Sequence, residues 1–104
     1  MASDICFQVK AINGLMVRTT HAYWRKIITF KHPAMARKEE EVKLALHEPD
    51  EIRQSVRNES VLLYYRNEND YFTCVVVRVL NDEGFIITAY ITDRVKEGKR
   101  IWRR

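Results

Sequence analysis

The stretch "YFTCVVVRVL", residues 71–80, constrains this chain more than any other. β-Branched residues run through it almost without a break, and no polar alternation marks a wet side. Such a run predicts a central strand covered on both faces, not a strand lying on the surface. It needs neighbours in a sheet, and the flanking sequence supplies them.

"EIRQSVRN" at 51–58 alternates cleanly, with Ile52 and Val56 turned one way and Arg53, Ser55 and Arg57 the other. "SVLLYYRN" at 60–67 follows, then a polar turn from Asn67 to Asp70. "NDEG" at 81–84 predicts a hairpin turn, and "FIITAYITD" at 85–93 is the last strand. On that strand Phe85, Ile87, Ala89 and Ile91 form a core side. Ile86, Thr88, Tyr90 and Thr92 form an amphipathic one. The basic tail 94–104 is assigned no element and is expected to be at most partly ordered.

The first half has a different texture. "ICFQVKAINGLMVRTT" holds two β-prone runs around Asn13-Gly14, a pair suited to a tight turn. The arms make a hairpin unless one pairs elsewhere. Thr19 or Thr20 is placed to cap a helix, because a hydroxyl there accepts a free backbone N–H. Tyr23, Trp24, Ile27, Ile28 and Phe30 then recur at helical spacing. Pro33 denies helical backbone to His32, so that helix ends there. A second helix is expected over 36–48, with Val42, Ala45 and Leu46 as its apolar stripe, and "EPD" at 48–50 stops it. Helices segregated from a run of strands predict an α+β domain spanning 1–104. The expected architecture is two N-terminal helices packed on a four- or five-stranded antiparallel sheet.

Composition narrows the function classes. Lys and Arg number 18 against 14 Asp and Glu, for a net charge of +4. That surplus is compatible with nucleic acid without demanding it. Two cysteines without CxxC spacing point to a reducing compartment, and no apolar run approaches a membrane span, so a cytoplasmic protein with no membrane partner is expected. The three histidines have no metal-ligand spacing, and three glycines leave little for a phosphate cradle. No metal, no cofactor and no DNA specificity are expected.

What remains is a sheet face carrying Arg53, Ser55, Thr88 and Tyr90, with His32 at a helix end. Those groups suit RNA cleavage through the 2′-hydroxyl. One group must take its proton, one must support the anionic phosphorane and one must protonate the leaving oxygen. Arginine matches phosphate oxygens, and histidine titrates near neutral pH. Each residue also has a plainer role. His32 can be a helix C-cap, Arg53 a solvated cross-strand partner, Thr88 an ordinary strand former, and Tyr64 and Tyr90 rim aromatics.

The segments "KHPAM", "LHEPDEIRQS", "VLLYY", "VVVRVLNDEGFIITAYITD" and "VKEGKRIW" together resemble a group of small, mostly uncharacterised bacterial proteins. The resemblance covers roughly residues 17–102. At fold level that group is similar to the ribonucleases gathered as barnase, EndoU, colicin and RelE-like toxins. The resemblance implies a metal-independent endoribonuclease, a candidate toxin of a toxin–antitoxin pair. RNA would be its partner, with an antitoxin or other protein as a second one. It points to His32, Arg53, Thr88 and Tyr90 as catalytic, with Arg66 and Lys96 as supports. Ser55 and Tyr64 complete the expected substrate-binding set. The general base has no clear counterpart. The alternative is a non-catalytic module that binds RNA or protein.

Overall fold

The computed structural model describes residues 4–95 and 98–104. The chain runs β1 (Ile5–Lys10), β2 (Met16–Thr20), α1 (His21–Lys26), a π-helical turn (Ile27–Lys31), a 3₁₀ turn (Pro33–Met35), α2 (Glu39–His47), β3 (Glu51–Gln54), β4 (Val61–Asn67), β5 (Phe72–Leu80), β6 (Glu83–Thr92) and β7 (Lys99–Arg103). All seven strands join one sheet in the order β1-β2-β6-β5-β4-β3-β7. Every neighbouring pair is antiparallel except β2 and β6, which run parallel.

This corrects the expected architecture. The sheet is mixed and seven-stranded, not antiparallel with four or five strands, and the two α-helices are short. Two causes account for it. The N-terminal hairpin does not stand apart, because Met16, Val17 and Arg18 pair with Glu83, Gly84 and Phe85 and so extend the sheet. At the other edge Lys99–Arg103 forms β7 against β3, where a partly ordered tail was expected. The barnase-like layout of helices on a small antiparallel sheet falls with these two additions. The strand expected over 51–58 also stops at Gln54.

The central run is covered on both faces only over its first part, since Arg78 and Leu80 at its far end are exposed. β5 lies between β4 and β6, and Thr73, Cys74, Val75 and Val77 are buried on it. Val75 and Val77 face the helices together with Ile52, Leu62, Tyr64 and Ala89, and Trp24, Ile27, Met35, Val42, Ala45 and Leu46 close that core. The sheet curls round α2, which touches β1 as well as β4 and β5. The Tyr64 hydroxyl and the Asn13 carboxamide oxygen meet at 3.1 Å across this curl.

The opposite face carries a smaller cluster of Leu63, Tyr65 and Cys74, with Phe72, Val76, Tyr90 and Val95 against it. β6 and β7 lie four places apart in the sheet, and two described residues between them sit on this face. Val95 packs on the cluster, and Gly98 presses close to Arg53 and Gln54. The remainder of the second face stays open.

Two local features place the candidate side chains. Asn81 and Asp82 both adopt positive φ and tie β5 to β6 in a two-residue turn. Downstream, Val77 pairs with Ile86 and Val76 with Thr88, so Ile87 is an extra, bulged residue. The bulge turns Ile86 to the helix face with Ala89 and leaves Thr88 and Tyr90 on the second face. The expected grouping of Ile86 with Thr88 and Tyr90 therefore breaks at Ile87.

Candidate functional site

β2 pairs with β6 only as far as Phe85. Beyond that point β2 gives way to α1, and the segment 27–35 lies beside the lower half of β6. Local sequence explains the path. The Thr20 hydroxyl accepts the Tyr23 N–H at 3.1 Å and starts α1. The helix then widens, so that His32 N–H reaches back to Ile27 O at 2.7 Å. Pro33 follows, and His32 leaves helical backbone at φ −144° and ψ 81°.

His32 therefore turns the corner, and its ring also arrives somewhere. It lies 5.4 Å from the Tyr90 ring, centroid to centroid, at an interplanar angle of 36°. Thr88 stands two residues back on the same strand face, its hydroxyl buried and without a hydrogen-bond partner among the described residues. The neighbouring Lys31 ammonium donates to Ile87 O at 3.0 Å and to the Tyr23 hydroxyl at 3.1 Å. An ammonium has three protons, so one remains for a ligand. Tyr90 meets Cys74 and Tyr65 on its other side. Burial pushes its phenol well above the ordinary tyrosine range, and those two neighbours push the same way. Tyr90 thus keeps its proton and offers the site a ring surface, not a base.

The remaining expected site residues fall elsewhere. Arg53 shares the second face but sits three strands from Thr88 in the same cross-strand row, Arg53–Leu63–Val76–Thr88. At ordinary strand spacing that is about 14 Å. Its guanidinium donates to Glu51 Oε2 at 2.5 Å and to Gly98 O at 2.9 Å, so it anchors the chain at Gly98. Ser55 opens the turn after β3, its hydroxyl accepting the Arg57 N–H. Arg66 is bound to Glu48 O and beside Glu68 near the chain's end. Tyr64 is 0% exposed on the helix face and has no open surface to offer. Lys96 lies outside the described residues. Of the eight, the structure brings His32, Thr88 and Tyr90 together.

It adds residues that sequence reasoning passed over. A recess of about 470 Å³ opens where β2 and β6 part. Its walls are mostly apolar, with Tyr23, Leu80, Phe85 and Ile87 among them, and Arg18 and Arg78 at the margin. Arg18 and Arg78 both stand in cross-strand register with Phe85, one on each side. The Arg18 guanidinium carbon lies 4.7 Å from the Phe85 ring centre and its nitrogen 2.9 Å from Glu83. The Arg78 side chain is exposed and makes no hydrogen bond or ion pair among the described residues. Its one visible signal was a single guanidinium in the run "VVVRVL"; Lys31 gave none beyond adjacency to His32.

Among the described residues, no group of three or more His, Cys, Asp or Glu side chains is placed to hold a metal ion, and no helix is long and apolar enough to cross a membrane. No family model matches the chain, and no curated protein or solved structure matches it either.

Proposed function

We propose that this protein is an endoribonuclease that uses the RNA 2′-hydroxyl as nucleophile, with His32 moving the proton. The observation that carries this reading is the placing of His32 against Tyr90, beside Lys31 and next to a recess edged by two arginines. The 2′-oxygen attacks phosphorus while His32 accepts its proton. The phosphorus–O5′ bond then breaks, and the same proton returns to the leaving O5′. The products are a 2′,3′-cyclic phosphate and a free 5′-hydroxyl. Lys31 is the cation beside the developing phosphorane charge, the role first assigned to Arg53. Tyr90 holds the histidine ring in place. The toxin role and an antitoxin partner are not needed by this reading.

The test is incubation of the purified protein with mixed RNA in EDTA, beside His32→Ala. Cleavage ending in cyclic phosphate, lowered by about 10²-fold or more in the variant, is the expected result. Equal cleavage by both proteins removes His32 from the chemistry. Salt-sensitive RNA binding without product from either protein replaces the enzyme with the non-catalytic module.

A further inference from the structure

The recess between β2 and β6 is not needed for proton transfer, yet its chemistry is specific. Binding recesses of small ligands run to about 300–1,000 Å³, largely apolar with a few placed polar groups. This one measures about 470 Å³ and matches that description. Its row Arg18–Phe85–Arg78 puts a ring between two guanidiniums on one sheet face. Arg18 is committed, stacked over the ring and paired with Glu83. Arg78 is uncommitted.

We infer that this fork is a subsite for one unstacked nucleotide of a single-stranded RNA, its phosphate on Arg78 and its base against Phe85 and Leu80. A free guanidinium beside an apolar wall recognises an anion joined to a flat ring. Duplex RNA hides its base faces and offers phosphate alone, so it would leave the apolar wall unused. The subsite leads directly into the His32–Tyr90 cluster, because Phe85 and Ile87 line the recess and Thr88 and Tyr90 follow on the same strand. The inference rests on the RNA reading above and is tested separately from it.

The measurement is fluorescence anisotropy of a labelled single-stranded RNA decamer with His32→Ala in EDTA, so that the strand stays intact. Arg78→Gln and Phe85→Leu, each added to that background, are expected to weaken binding by about tenfold. Arg78→Gln should also flatten the salt slope by about one. Arg57→Gln, which removes an exposed charge from the β3–β4 turn, should leave affinity unchanged. In parallel, adenosine monophosphate is titrated into ¹⁵N-labelled protein, and shifts are expected at the amides of Thr19, Ile86 and Ile87. Unchanged strand affinity in both Arg78→Gln and Phe85→Leu overturns the subsite, as does duplex RNA binding as tightly as the strand. If wild-type cleavage still depends on His32 in that case, the ribonuclease stands and only the subsite falls. If the wild type neither binds nor cleaves any strand, the RNA reading fails and takes the subsite with it.

Discussion

Tyr64 and Tyr65 are adjacent in sequence and opposite in role, and the difference is that between the two faces of the sheet. Tyr64 enters the helix-covered core, where its neighbours are aliphatic and its hydroxyl has one local partner, Asn13. Tyr65 enters the second face, in a row with Glu51, Cys74 and Tyr90. The helix face is closed by α2 and by the curl of the sheet. The second face is covered at one end by the chain around Val95 and is open at the other, where Arg78 and Phe85 stand. Burial of apolar surface supplies the stability on the first face. On the second, polar groups are kept where a ligand can reach them. Substitutions on the helix face should therefore change stability and spare activity, and those at the margin of the second face should do the reverse.

The largest stability effect expected is alkaline. Burial pushes the Tyr64 phenol up to about 12 from an ordinary 10.0, its bond to Asn13 opposing. The folded protein holds this proton more tightly than the unfolded chain does. Stability from this residue is thus full below pH 10 and falls as pH rises toward 12, by about 3 kcal/mol in all. Tyr64→Phe removes that slope and loses the Asn13 contact, costing about 1 kcal/mol at neutral pH. Urea denaturation of the two proteins should give stability curves that cross above pH 10. A difference that stays constant with pH would show that Tyr64 does not titrate as a buried group.

Gly84 tests the same face by steric means. A Cβ there would lie 2.9 Å from Leu15 Cδ2, 2.9 Å from Val17 Cγ2 and 3.0 Å from Val77 Cγ1. The valines are stiff at χ1 and cannot swing clear. Gly84→Ala should cost about 1–2 kcal/mol by overpacking, read as a lower urea midpoint at unchanged slope. Cleavage per folded molecule should match wild type at a temperature where both are folded. A variant as stable as wild type would mean that β2 yields easily at the fork, and the closed face would be softer than its packing implies.

These contrasts also explain what could be read in advance. The central place of β5, the turn at Asn81-Asp82, the threonine cap and the corner at His32 are local, and each follows from a few adjacent residues. The parallel pairing of β2 with β6 is not local. It joins residues 16–18 to 83–85, and neither short segment carries a pattern that names its partner. β7 was hidden because "KRIWR" has the composition of a solvated tail. Its order comes from pairing with β3, with Trp102 packed against the main core. The bulge at Ile87 left no mark on the alternation of "FIITAYITD", yet it decides which side chains share a face. Of the proposed site, His32, Thr88 and Tyr90 could be singled out from the sequence, and the structure brings them together. Arg53 misled because a guanidinium on the face opposite Ile52 looks the same in sequence whether it awaits phosphate or, as here, ties down Gly98.

Lys31 should show the smallest stability change and the clearest split between the faces. Its ammonium is exposed, and it bonds the carbonyl of the one β6 residue that the ladder leaves without a partner. Lys31→Met keeps the stem and removes both hydrogen bonds. Water can replace them at an exposed edge, so the cost should stay below about 1 kcal/mol. Cleavage should nevertheless fall by about tenfold or more, because a cation beside the phosphorane is lost where charge develops. Lys31→Arg should recover part of the rate, since the charge returns with altered reach. Measured as single-turnover rates beside urea midpoints, the pair separates two roles. A parallel fall in rate and midpoint would make Lys31 a clip for the bulge and leave the phosphate without a cation at His32. A fall in rate alone, partly restored by arginine, would place the reacting phosphate at the corner that His32 turns.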